Sequence, residues 1–171
     1  MLPGGTISGA TLQVPGGSNM AVQPNNSAKG DMNLTKILCA EMSAVETYDH
    51  ALQNFTKGED RDKIELARDC HVKRVDTLAG KLYEMGGSPT ESSGVWGAFT
   101  RVLDAGVGVV TDKMAIALLE EGEERTIQQY RDLIAGTKQE PDVQTLASVL
   151  LTQQEATQRM IKEMQERMER E

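Results

Sequence analysis

Residues 40–52 read AEMSAVETYDHAL, and the place of Glu41 in that run decides how the chain is read. Leu34, Leu38, Glu41, Val45, Tyr48, Leu52 and Phe55 recur at steps of three and four, the spacing of one helix face. Glu41 stands in that stripe where an aliphatic side chain belongs. A lone carboxylate taken into a core is expensive, so such a residue is paired, protonated, exposed at a helix end or bound to a cation. Its mid-helix position argues against the exposed end.

Working outward, the first helix is expected over residues 34–56 with Asn33 as its N-cap. A short KGEDRD turn follows, and Asp62 with Glu65 is placed as a capping box for the second helix. The stripe of that helix is Ile64, Arg68, His71, Val75, Leu78, Leu82 and Met85, and Gly86-Gly87 stops it. A third helix begins near Thr111 or Asp112, with Ile116, Glu120, Glu123, Ile127, Tyr130 and Ile134 on its stripe. A fourth opens at Pro141, a favoured first helical position, and continues towards Arg170. Three helices thus turn polar groups inward near their middles. Glu41 precedes Tyr48 by seven residues, and Glu123 precedes Tyr130 by the same interval. That repeat is expected of two related helical hairpins.

The connections organise these helices. Short turns join the first pair and the second pair, so each should be an antiparallel hairpin. Between the pairs lies GGSPTESSGVWGAFTRVLDAGVGVV, residues 86–110, with a short apolar helix expected around Trp96 to Leu103. A connection of that length can travel the length of a bundle and let the third helix run parallel to the second. A plain up-down-up-down bundle is the other topology open to the sequence. Residues 1–31, rich in Gly, Pro, Ser and Asn and without a period, read as a disordered tail, leaving 32–171 as one all-α four-helix bundle.

Composition narrows the partners. A formal charge of −8 argues against a general nucleic-acid binder. No apolar run approaches the roughly 20 residues of a bilayer span, and the N-terminus lacks the basic start and apolar segment of a secretory signal. Cys39 and Cys70 form no disulfide framework and read as reduced thiols of a cytoplasmic protein. Cys70 and His71 are helix neighbours pointing about 100° apart, which argues against a catalytic pair. Met160, Met164 and Met168 form a ridge, read as core packing or as the contact surface of a homo-oligomer.

With these residues in view, the chain resembles the ferritin-like superfamily, which includes rubrerythrins and bacterioferritins. Within it the likeness is to a small bacterial branch, carried by AEMSAVETYDHAL, GGSPTESSGVWGAF and LLEEGEERTIQQY, and it covers about Asn33 to Glu166. In metal-bearing members the first and third helices each give a Glu, while the second and fourth each give Glu-x-x-His. The resemblance therefore implies Glu41, His71 and Glu123 as metal ligands, with Glu120 the next candidate and Tyr48 or Tyr130 behind them. Iron or another divalent transition metal would be the ion.

The pattern is incomplete. Arg68 stands where the Glu of Glu-x-x-His belongs, and the fourth helix offers Gln154-x-x-Thr157 by register or Glu155-x-x-Gln158 by residue type. Neither supplies a His. Arg68 is instead expected to neutralise Glu41, Glu120 and Glu123 in place of a metal. The expectation is a degenerate carboxylate/His site in a non-catalytic bundle, stress-related by resemblance alone. The alternative is a metal-binding redox or iron-handling protein using Glu41, His71 and Glu123.

Overall fold

A computed structural model describes residues 27–89, 110–136 and 139–170, with the side chains of 27–31 excepted. Among these residues lie four helices, α1 (Ser27–Ala51), α2 (Glu59–Glu84), α3 (Asp112–Ala135) and α4 (Pro141–Arg170). No strand occurs among the described residues. The expected short helix around Trp96 and most of the expected tail lie outside them. Helix α1 opens at Ser27, ahead of the expected start at Leu34.

Local chemistry sets the other helix ends. The expected Asp62–Glu65 capping box is not formed, since α2 begins one turn earlier with Gly58 as N-cap and no side-chain cap bond. Gly58 has φ 149°, which only glycine adopts readily. Glu59, Asp60 and Asp62 then lie in the positive first turn of α2. Arg61 reaches back from that turn, its Nη1 donating to the carbonyls of Leu52 (2.7 Å) and Phe55 (3.0 Å) at the end of the preceding hairpin arm. At the far end Gly86 (φ 78°) closes a Schellman motif, with Gly87 N–H donating to Leu82 O and Gly86 N–H to Tyr83 O. Thr111 caps α3 by accepting from Met114 N–H at 3.3 Å.

Helix α1 packs against α2 and α3, and α4 packs against α3 and α2. The apolar core is divided between the two ends of this bundle. One cluster joins Tyr48 and Ala51 of α1 to Ile64 of α2, Ile116 of α3 and Ile161 and Met164 of α4. The other joins Leu34 and Leu38 of α1 to Leu82 of α2, Leu133 of α3 and Val143 and Leu150 of α4. The starts of α2 and α3 therefore share one end, and their finishes share the other. They run in the same direction, and α1 and α4 run against them.

Met164 and Met168 are buried in the first cluster and Met160 packs against it, which is the core-packing reading of the ridge. Among the described residues no helix is long and apolar enough to cross a membrane. Met164→Ala is expected to lower the urea-unfolding free energy by about 2–5 kcal/mol. Gly58→Ala should cost about 1 kcal/mol or more, because alanine must enter a conformation glycine occupies freely. Both are read from equilibrium denaturation of purified protein.

Candidate functional site

Between the two apolar clusters the bundle buries a polar layer: Glu41, His71, Arg74, Glu123, Gln154 and Thr157. Each helix contributes through its inward stripe. The inward face of α2 runs Ile64, Ala67, His71, Arg74, Leu78 and Leu82, so the predicted stripe was right at His71 and wrong at Arg68. Arg68 lies on the flank, its Nε donating to Asp49 (2.8 Å) and its Nη1 to Asp69 (3.2 Å). The inward cation is Arg74, one turn beyond His71 rather than one turn before it. Both stripes step by three and four residues; small Ala67, admitted where the helices approach, is the signal that favours the second.

His71 is the centre of the layer. Its Nδ1 lies 2.6 Å from Glu41 Oε2 and its Nε2 lies 2.8 Å from Glu123 Oε1. Each carboxylate then receives two further donors. Glu41 Oε1 accepts from Arg74 Nε (2.9 Å) and the Tyr130 hydroxyl (2.7 Å). Glu123 accepts from the Tyr48 hydroxyl and from Gln154 Nε2, the latter at 2.5 Å. The phenols are crossed between the hairpins. Seven residues along one helix is about 10 Å, too far for Tyr48 to serve Glu41 directly. The antiparallel neighbour brings each tyrosine to the other carboxylate instead.

The proton inventory follows from these contacts. Two carboxylates approach the two ring nitrogens, so both nitrogens are donors and His71 is an imidazolium. Burial disfavours the charged ring, but the flanking Glu41 and Glu123 carboxylates outweigh it and raise its pKa above the ordinary value. Burial likewise acts to raise Glu41, yet His71, Arg74 and the Tyr130 hydroxyl hold it below the ordinary carboxylate value. Burial and the facing carboxylates push both phenols up, so Tyr48 and Tyr130 remain protonated donors. Arg74 Nη2 stands 2.8 Å from His71 Nδ1. With the Nδ1 proton directed at Glu41, this is an approach of two donors, held together by the carboxylate they share. The charges of Glu41, Glu123, His71 and Arg74 sum to zero.

The remaining expected residues are placed differently. Glu120 is only partly buried and accepts from Gln158 Nε2 at 3.3 Å, outside the layer. On α4 the register Gln154-x-x-Thr157 faces inward, whereas Glu155 pairs with Arg131 at 2.9 Å. Thr157 Oγ1 meets Arg74 Nη1 in a long contact of 3.4 Å, and Gln154 Oε1 is buried without a hydrogen-bond partner among the described residues.

The donor set does not fit a metal centre as arranged. Glu41, His71 and Glu123 converge, but the imidazole turns a different nitrogen to each carboxylate, and the guanidinium occupies the Glu41 side. Among the described residues no group of three or more His, Cys, Asp or Glu side chains is disposed to hold a metal ion. The chain matches no family model, no curated protein and no solved structure.

Removing one partner of a buried pair leaves the other charge unpaired. Arg74→Met is therefore expected to destabilise the fold by about 3–5 kcal/mol in urea denaturation. Arg68→Met, on the flank, should cost less than about 1 kcal/mol. The pH dependence has two limbs. The raised His71 pKa contributes stability that is full below about pH 6.5 and is lost as pH rises through the folded-state value. The lowered Glu41 pKa contributes stability present above the ordinary carboxylate range and lost as pH falls through the folded-state value. Denaturation midpoints measured against pH should fall on both sides, and His71→Gln, which cannot ionise, should flatten the alkaline limb.

Proposed function

We propose that the chain is a ferritin-like four-helix module whose central site is a closed charge network, serving as a non-catalytic, stress-related binding or scaffolding protein of the cytoplasm. The observation that carries this reading is the burial of His71 and Arg74 with Glu41 and Glu123, in a layer where two cations balance two carboxylates. Such a layer needs no ion to neutralise its carboxylates. The parallel course of α2 and α3 supports the ferritin-like assignment, because that connectivity is the one with a single long crossover. The stress association rests on the family resemblance alone, and the acidic surface favours no nucleic-acid partner.

A metal-binding redox or iron-handling protein is the second reading. Its support is the convergence of Glu41, His71 and Glu123, carboxylate and imidazole groups suited to iron or another divalent transition metal. Elemental analysis separates the two. Protein purified without chelators from iron- and zinc-supplemented medium is expected to carry no stoichiometric metal, and chelator should leave its thermal midpoint unchanged. Stoichiometric metal that disappears in His71→Ala would establish the second reading instead.

A further inference from the structure

The outward face of α4, opposite Gln154 and Thr157, is neutral along much of its length. Asp142, Thr145, Val149, Thr152, Ala156 and Arg159 recur at steps of three and four, and all six are exposed. Residues 143–154 carry no charge, in a chain whose residues are 26% charged. The solvent face of a bundle helix is ordinarily its charged face. Val149 leaves 53% of its surface open. The hydroxyls around it are bonded to their own helix: Thr145 Oγ1 donates to Pro141 O (2.8 Å), Ser148 Oγ to Gln144 O (2.8 Å) and Thr152 Oγ1 to Ser148 O (3.1 Å). Such side chains can be covered by another molecule without leaving a donor unpaired.

We infer that this face of α4 docks α4 of a second copy of the chain, paired antiparallel about a two-fold axis at the level of Leu150 and Leu151. The charges that bound the neutral stretch specify that occupant. Asp142 closes one end, its side chain 57% exposed even beside Lys81, and Arg159 closes the other. In the antiparallel pair Asp142 stands opposite Arg159 of the second copy, and the two-fold repeats the contact at the far end. Between them Thr145 meets Ala156 and Val149 meets Thr152. A parallel pair would instead set Asp142 against Asp142 and Arg159 against Arg159, so like charges reject it. The overlap from Pro141 to Met160 is about 30 Å long, and its small side chains let the axes approach to about 8 Å. One helix width is a modest area, which places the pair among weak, reversible associations. The inference is independent of the central layer, which lies on the other side of α4.

The test uses the full chain as wild type, Val149→Glu, Thr152→Glu, Arg159→Asp and Arg159→Lys, all changed at exposed positions. Sedimentation velocity is recorded from about 1 μM to about 1 mM, the span of weak association, and circular dichroism confirms the helical fold. Wild type and Arg159→Lys should pass from monomer to dimer as concentration rises. Val149→Glu and Thr152→Glu should stay monomeric throughout. Arg159→Asp, which sets carboxylates against each other at both ends, should weaken the dimer at least about tenfold. A wild type that stays monomeric at the highest concentration would overturn the inference. So would a dimer indifferent to any of the three acidic substitutions, because it would form through another surface or register. Should Val149→Glu fail to fold, Thr152→Glu, across the two-fold axis from it, carries the same test.

Discussion

The imidazolium of His71, held between Glu41 and Glu123, is the interaction on which the rest of this bundle depends. Four charges lie in a layer closed to water, and each alone would carry a desolvation penalty of several kcal/mol. Together they form a neutral group in which each carboxylate accepts three donors. The burial of His71 is tolerable because Glu41 and Glu123 flank it. Theirs is tolerable because Arg74, Tyr48, Tyr130 and Gln154 complete their shells.

That mutual dependence constrains the whole fold. The layer draws on all four helices and lies between two apolar clusters. Aliphatic cores tolerate sliding and repacking, since one leucine replaces another at modest cost. A one-turn slip of α1 against α3, about 5.4 Å, would carry Tyr48 away from Glu123 and Tyr130 away from Glu41 and expose two carboxylates to apolar neighbours. The polar layer thereby selects one register. The periphery reinforces it, with Arg167 paired to Asp60 at one end of the α2–α4 edge and Lys81 paired to Asp142 at the other. These outer pairs are partly exposed and individually worth little.

Much of this was legible before the structure. Step-three and step-four spacing marked the first three helices and Pro141 the start of the fourth, and Glu41, His71 and Glu123 stood out because each interrupts an apolar stripe. The Glu–x₆–Tyr repeat announced the phenols. Less legible were the cation and the partners. Arg68 and Arg74 lie six residues apart on either side of His71, and both fit a helical stripe within one residue of rotation. Nor could a repeat within one helix reveal that its tyrosine serves the neighbouring hairpin.

The sequence by itself determined where the helices lie and that Glu41, His71 and Glu123 fall on their inward stripes, because hydrophobic periodicity is a local property of the chain and survives without knowledge of any partner. It also determined that the buried carboxylates would need cations or ions. Only the tertiary structure decided which. The identity of the neutralising charge depends on the rotation of α2 about its axis and on the antiparallel approach of α1 and α3, and both are set by packing among helices distant in sequence. That packing placed Arg74 inside and Arg68 outside, and made a neutral charge network from residues that also read as ligands.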